Sequence, residues 1–328
     1  MNIRLAQAFL SLLMVGALAV SPVRAQAPEL PSPTTEVGAP LTASATTVAV
    51  PLAAAPEATA SPAAKPSPSP QMAADSNDAT DLAKQSQNPV ASLISLPFQS
   101  NTAFGVGEKG VTAGYLKIQP VIPQNVGEWN IIHRLIMPVA YLPYDALLPA
   151  SMPGQGSGDF GLSDTTYSAF VSPAKPGKLI WGVGPAITLP TASHKTLGEG
   201  KWNLGPTAVF LTMEGPVVAG VLLQQQWSVA GDTRRPDVSA GLVQPFFNYN
   251  LPKGWYLTTS PIMNVNWNAD RGQKWTVPVG GGVGRVFEIG KQPVNVSAAL
   301  YYNAIRPVGA EPWVVRLAFT FLFPTAGK

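Results

Sequence analysis

Few side chains in this chain could carry out chemistry. It has two histidines, His133 and His194, and no cysteine. A serine hydrolase needs a histidine beside a serine, together with a third group that orients the imidazole ring. His133 has no serine near it in its own predicted strand, and His194 lies beside Ser193 in a predicted loop, where a solvated side chain is the ordinary role. The sequence therefore predicts no catalytic residues and a protein that is not an enzyme.

Cofactor, metal and nucleic-acid sites are not indicated either. Two histidines without a nearby carboxylate cluster do not make a zinc site. The run GGGVG from Gly280 opens a strand-like run rather than a helix, so the dinucleotide fingerprint fails. The net charge of +3 is spread without a basic stripe, which argues against a nucleic-acid partner. Arg234, Arg235 and Lys195 in predicted outer loops could contact anionic lipopolysaccharide or could be ordinary solvated charges.

The elements that position the remaining polar residues are strands, and the stretch from Gly254 to Ala269 shows the pattern. Apolar and polar residues alternate along it, and Trp255 and Trp267 close the two ends of its apolar face, twelve residues apart. Alternation with period two is the strand signal. At about 3.3 Å per residue and a tilt of about 40°, this spacing covers about 30 Å along a membrane normal. Because indoles favour the boundary between lipid and water, the stretch is predicted to be one strand of an outer-membrane barrel.

Twelve such runs can be counted, an even number like that of single-chain bacterial barrels. The connections after even-numbered runs are short, and those after odd-numbered runs are longer on the whole, as in barrels with short periplasmic turns and long outer loops. The predicted fold is all-β, an antiparallel up-and-down transmembrane barrel. The runs are 90–102, 111–122, 129–142, 159–171, 178–190, 201–212, 217–229, 238–250, 254–268, 274–288, 293–304 and 312–323.

Prolines inside these runs are the main irregularity of the predicted barrel. Each proline removes one donor from the hydrogen-bond ladder, and a bulge is predicted at each position. The prolines are Pro120, Pro138, Pro185, Pro206, Pro245, Pro261 and Pro278.

Aromatic residues recur at both ends of several runs with the parity of Trp255 and Trp267. Such residues form the girdles that flank the apolar band of a barrel. The predicted girdle residues are Trp129, Tyr141, Trp255, Trp267, Trp275, Phe287, Trp313 and Phe323.

The opposite parity places a second set of side chains inside the barrel. A cation that faces lipid at mid-depth costs about 2–4 kcal/mol, so Arg134 and Arg316 should point inward. The set either lines a pore or forms a polar network that fills a closed lumen. The lumen-lining candidates are Asn130, Arg134, Gln224, Gln226, Thr258, Asn264, Asn266, Arg316 and Thr320, with Lys117 and Gln119 as further candidates.

The region before the strands has a different composition. Arg4, an apolar run and the small residues that end at Ala25 predict a signal peptide, residues 1–25, rather than a membrane anchor. Residues 26–87 are rich in Pro, Ala and Ser, and they are predicted to be a disordered linker in which 78–87 fit a short helix. The linker is either a spacer or a segment that binds a partner. The barrel domain is predicted at 88–328.

Several long strings also resemble a known family. They include NPVASLISLPFQ from Asn88, FVSPAKPGKLIWGVGPAITLPT from Phe170 and QPFFNYNLPKGWYLTTSP from Gln244. These strings are similar to the bacterial outer-membrane family named for the meta-pathway of phenol degradation, some members of which are mislabelled neuromedin U. The resemblance covers nearly all of the chain from Asn88 onward. It implies a barrel with a transport or porin-like role, and it carries no agreed catalytic or binding residues.

The sequence thus favours a porin-like outer-membrane channel or transporter for passive uptake of small solutes, aromatic or apolar ones included. Its expected partners are the lipid bilayer and the solute, with no cofactor. The alternative is a closed structural or binding barrel whose Pro-rich arm engages a periplasmic partner.

Overall fold

The computed structural model describes residues 79–324, in which fifteen strands form one antiparallel sheet. The signal peptide and residues 26–78 of the linker lie outside the described residues. No helix within 79–324 is long and apolar enough to cross a membrane. Residues 79–86 are helical, and 3₁₀ turns occur at Tyr144–Ala146 and Pro252–Gly254. The strands are β1 (Ile94–Val106), β2 (Val111–Ile118), β3 (Val121–Val126), β4 (Trp129–Pro143), β5 (Gly158–Leu162), β6 (Thr165–Pro173), β7 (Leu179–Leu189), β8 (Lys201–Glu214), β9 (Val217–Gly231), β10 (Ser239–Asn250), β11 (Trp255–Thr259), β12 (Met263–Asn266), β13 (Trp275–Ile289), β14 (Gln292–Ile305) and β15 (Trp313–Phe323).

The sheet closes on itself. The first strand pairs with the last, from Ile94 opposite Phe323 to Phe104 opposite Trp313. The pairing of β9 with β10 completes the ring. Three pairs of short strands, β2 with β3, β5 with β6 and β11 with β12, each take the place of one predicted run. The predicted closed antiparallel barrel of twelve strands is therefore confirmed, with three of its strands interrupted.

Proline accounts for two of the interruptions, because it has no N–H group to donate to the ladder. Pro120 follows β2, and Pro261 lies between β11 and β12. The ladder shifts register next to Pro278, as the predicted bulge requires. The bulge predicted at every proline is wrong at Pro185, Pro206 and Pro245, which lie in continuous register. Beside Pro138 the register shifts by one residue between the β4–β6 and β4–β5 pairings. A proline carbonyl still accepts, as Pro138 does from the Ser163 N–H at 2.8 Å, so a strand can absorb a single lost donor.

The two ends of the barrel differ in the length of their connections. The short-turn end carries the turns 127–128, 174–178, 215–216, 251–254 and 290–291. The long-loop end carries 107–110, 144–157, 190–200, 232–238, 267–274 and 306–312. The alternation read from the sequence is thus present in the structure.

The N-terminal boundary of the fold differs from the prediction. The short helix predicted at 78–87 is present at 79–86, but this segment is not part of a disordered linker: it packs inside the barrel, with Ala83 fully buried. A helix of this length is too short to be stable alone in water. Its order therefore depends on the barrel wall around it, which local composition does not reveal. We call residues 79–93, which run from this helix to the start of β1, the plug segment.

Candidate functional site

The candidate site is a cavity of about 280 Å³ inside the barrel. Its described lining residues are mostly amides, hydroxyls and small apolar side chains, and they include two arginines, Arg134 and Arg316, but no aspartate or glutamate. Residues of the plug segment from Gln85 to Leu93 also contribute to the lining. The cavity is therefore bounded both by the barrel wall and by the chain that precedes it.

Arg316 is held by three neighbours. Its Nε donates to Asn101 Oδ1 at 3.2 Å, and its Nη1 donates to the Ser260 carbonyl at 2.8 Å. The guanidinium also lies over the ring of Tyr301, 4.6 Å from the ring centroid, where the negative face of the ring attracts it. Ser260 lies between β11 and β12, so the interruption of the ladder turns its carbonyl toward the arginine.

Arg134 is held in a similar way at another interruption. Its Nη2 donates to Gln119 Oε1 at 2.9 Å, and Gln119 is a buried residue between β2 and β3. Both arginines thus take a partner from a residue where a barrel strand is broken beside a proline. Each of these two strand interruptions therefore supplies a hydrogen-bond acceptor that helps to fix a lumen arginine.

A third cation lies near the arginines. Lys117 lies on β2 and has the same parity as Gln119, which follows β2 and lines the cavity. The Nζ atom of Lys117 lies 5.2 Å from the centroid of the Tyr115 ring. In register, Arg316 is opposite Asn101 on β1, and Lys117 is opposite Gln99, the next inward residue of the same strand. We call Lys117, Arg134 and Arg316 the basic set. The ion pairs found within 79–324 join other residues, so no carboxylate of the described chain neutralises the basic set.

The other lumen-lining candidates fall into two groups. Thr258 and Thr320 line the cavity together with the two arginines. Asn130 is buried and donates to Ser92 Oγ of the plug segment at 3.1 Å.

Like Asn130, the remaining four candidates are not among the residues that line this cavity. Gln226 is buried, and its Oε1 accepts from Thr188 Oγ1 and from Gln224 Nε2, each at 3.1 Å. Asn264 and Asn266 are exposed, and they are opposite residues 242 and 240 of β10.

The outer surface carries the predicted girdle residues. Trp129, Trp255, Trp267, Trp313 and Phe323 are 41–45% exposed, whereas Tyr141, Trp275 and Phe287 are half-buried. Edge contacts such as Trp267 with Trp275, whose ring centroids are 5.8 Å apart, account for part of that cover. Other exposed aromatic residues were not predicted, although alternation within their strands carries the same signal: Trp202, Phe210, Trp227, Phe247 and Tyr302.

The place of the plug segment inside the barrel was not predicted: residues 79–87 were assigned to the linker and 90–93 to the first strand, which begins at Ile94. Val90 is buried in an apolar cluster of inward residues that includes Ile132 and Phe170. A Cβ on Gly182 would lie 2.9 Å from Val90 Cγ1, so glycine gives Val90 its place against the wall. Ala83 and Leu93 pack in a second cluster with other wall residues: Tyr256, Val286 and Leu322.

Polar contacts tie the plug segment to the short-turn end. Gln87 and Asn250 exchange two amide hydrogen bonds of 2.9 and 3.1 Å. Asn295 Nδ2 donates to Ser86 Oγ at 3.1 Å. The Gly254 N–H donates to Thr80 Oγ1 at 3.4 Å. These are hydrogen bonds between neutral groups, each worth only about 0.5–1.5 kcal/mol net, so the polar part of this attachment can be exchanged for water.

Charges at the long-loop end are largely paired within the loops. Backbone donation from Gln155, together with the hydrogen bond from Lys109 Nζ at 3.2 Å, lowers the pKa of Asp145. Hydrogen bonds from Arg234 lower the pKa of Asp232 to about 2. Arg235 donates to two carbonyls of the 190–200 loop. Contact of Arg234 or Arg235 with lipopolysaccharide stays a prediction.

The two histidines lie outside the cavity. His133 contacts Tyr167 Oη through Nδ1 at 2.7 Å and Gln124 Oε1 through Nε2 at 3.2 Å. His194 Nδ1 lies 3.3 Å from Ser193 Oγ in a long loop. The nearby carboxylate of Asp159 accepts from Tyr144 Oη and Thr196 Oγ1. Within 79–324 no three His, Cys, Asp or Glu residues are grouped so that they could hold a metal.

Comparison with known proteins gives structural matches alone. No protein-family model matches the chain, and no curated protein does. The crystal structure of the COG4313 outer membrane channel from Pseudomonas putida F1 is similar, with a TM-score of 0.53, 14% identity, and coverage of 72% of this chain and 97% of that chain. Outer membrane phospholipase A from Escherichia coli matches with a TM-score of 0.41 and 11% identity over 70% of this chain and 90% of that one. The beta domain of the Bordetella autotransporter BrkA has a TM-score of 0.40 at 11% identity over 71% and 100% of the two chains.

The prediction that this chain is not an enzyme, which was based on its few candidate catalytic side chains, is contradicted by the structural comparison. The similar structures include outer membrane phospholipase A, which is an enzyme built on a barrel. Its distant likeness assigns no activity to this chain, but the barrel fold does not exclude catalysis.

The closed antiparallel ring, the exposed aromatic girdle and the similarity to the COG4313 channel agree on the architecture. The chain is therefore a twelve-stranded β-barrel of the outer-membrane type.

Proposed function

We propose that the protein is a porin-like outer-membrane channel for passive uptake of small solutes, aromatic ones included. The observation that carries this proposal is the polar cavity inside a closed barrel, with arginines fixed in its wall. A lumen that served only as a core would be packed without a cavity of this size, as its Val90 cluster is. The resemblance to the phenol meta-pathway family and the COG4313 channel structure support the same role.

One observation favours the alternative of a closed binding or structural barrel. The plug segment occupies the short-turn end and is tied to both apolar clusters. If the segment never leaves, the barrel transports nothing, and the chain ahead of it becomes an arm for a periplasmic partner. In the channel proposal the plug segment is the part that moves.

Solute flux separates these two functions. Proteoliposomes containing the mature protein should swell in isosmotic solutions of small solutes, and the rate should fall as solute size rises. A V90D variant, which places a carboxylate in the apolar cluster at Val90, should loosen the plug segment and swell several-fold faster. No swelling with either protein, while both keep the heat-modifiable mobility of a folded barrel, would leave the closed barrel as the function.

The orientation follows from the loop lengths. Long loops face outward in outer-membrane barrels, so the loops 144–157, 190–200 and 232–238 are expected at the cell surface. A cysteine at exposed Thr233 should react with an impermeant maleimide on intact cells, and one at exposed Lys175 should react only after lysis. The native chain has no cysteine that would add background. The reverse labelling pattern would invert the topology.

A further inference from the structure

We propose that the lumen cavity is a binding site for one small carboxylate with an aromatic or apolar body, held between Arg134 and Arg316. The inference rests on the proposed channel function and names the class of solute that the channel takes.

The cavity wall carries positive charge. Moving a cation out of water costs free energy unless it is paired, and buried charges in proteins are normally paired. Two guanidinium groups share this cavity, Lys117 lies on an adjacent inward face, and the described lining contains no acidic residue. The wall thus provides positive charge without its own counter-charge. A solute anion would supply what the wall lacks.

The N–H donors of Arg134 and Arg316 are positioned to bind a carboxylate. A guanidinium has five N–H groups, and their planar fork matches a carboxylate. Within the described chain Arg134 donates to Gln119 alone, through Nη2. Arg316 commits Nε and Nη1, and its guanidinium lies over the ring of Tyr301. Both groups are therefore positioned by the wall and keep N–H groups for a bound anion.

The cavity also has apolar side chains in its lining. Leu222, Phe246 and Tyr256 line the cavity, and Leu93 of the plug segment adds a further apolar surface. The volume of about 280 Å³ lies just below the usual range for small-molecule pockets, about 300–1,000 Å³, which suits a small solute. A compact molecule with a carboxylate at one end and one ring at the other fits both the arginines and these apolar side chains. Inorganic phosphate would use the arginines and gain nothing from the apolar side chains that line the cavity.

The test is equilibrium binding to the detergent-solubilised, full-length mature barrel by titration calorimetry. Benzoate is the probe, and benzamide is its neutral counterpart of the same shape. We expect benzoate to bind at least about tenfold more tightly than benzamide, because a charge-assisted pair is lost with the amide. R134Q and R316Q should each weaken benzoate binding about tenfold and leave benzamide unchanged. R234Q, which removes an arginine exposed in a long loop, should change neither.

R134K and R316K serve as second variants if the glutamine variants fold poorly. They keep the charge, but a single ammonium cannot bind a carboxylate through a planar fork, so an intermediate loss is expected. Equal binding of benzoate and benzamide, or unchanged benzoate affinity in all folded arginine variants, would overturn the proposal. Displacement of benzoate by equimolar phosphate would overturn the assignment to carboxylates with an apolar body.

The binding measurement does not require conduction, so the two proposals can fail separately. Benzoate binding with no solute flux would sink the channel and keep the site. Solute flux with no preference for benzoate would sink the site and keep the channel.

Discussion

A disulfide bond between residues 86 and 295 will close the channel, and a reductant will reopen it. Asn295 Nδ2 lies 3.1 Å from Ser86 Oγ, so the S86C/N295C pair is placed to bridge the plug segment to β14. The native chain has no cysteine, so the two introduced cysteines can form an intramolecular disulfide only with each other. Conductance in planar bilayers should fall to the level of protein-free membranes in the oxidised variant. Dithiothreitol should then restore the conductance of the wild type.

The control is a bond that leaves the plug segment free. Thr166 Oγ1 and Thr188 Oγ1 are 2.8 Å apart on the neighbouring wall strands β6 and β7. The T166C/T188C pair should conduct equally before and after reduction. Mass spectrometry must show that both bonds form. Equal conductance of oxidised and reduced S86C/N295C would mean that solute passes the segment in place, and the plug would then be a fixed part of the wall.

The barrel could be predicted from sequence because its signals are repeated and local. Period-two alternation, aromatic ends and alternating connection lengths each recur around the ring, so one irregular strand does not hide the pattern. The positions at which strands are interrupted were harder to predict from the sequence. Pro120 and Pro261 break a strand, while Pro138 and Pro245 do not. The outcome depends on whether the residues around each proline keep their hydrogen bonds with the adjacent strands.

The site was less predictable than the wall. Parity identified the arginines, because the cost of a charge in lipid allows one side only. It could not reveal that Gln119 and Ser260 hold them, since both partners lie in strand interruptions that the period-two pattern does not show. The plug segment is the clearest case. Its first residues continue the linker and its last residues continue into the first predicted strand, and Ala83 and Val90 become core residues only through contact with a barrel that closes much later in the sequence.

Removing the lumen arginines will turn the channel from anion-preferring toward cation-preferring. Low-dielectric walls focus the field of fixed charges and raise the local concentration of counter-ions by at least about tenfold. Arg134 and Arg316 are fixed by Gln119 and by Asn101 with Ser260, so their charge stays in the lumen. The R134A/R316A variant should lower the anion-to-cation permeability ratio about tenfold, measured as the reversal potential in a KCl gradient. Adding K117A should lower it further.

The matched control is K175A/K178A, which removes two exposed lysines from the turn 174–178. Their charges lie in water at the barrel rim, where salt screens them within about 10 Å at 0.1 M, so selectivity should stay close to that of the wild type. Heat-modifiable mobility must show that every variant is a folded barrel. If R134A/R316A keeps the wild-type ratio, ions do not pass these side chains. The basic set would then belong to a sealed polar network, and any current must follow a path that avoids the cavity.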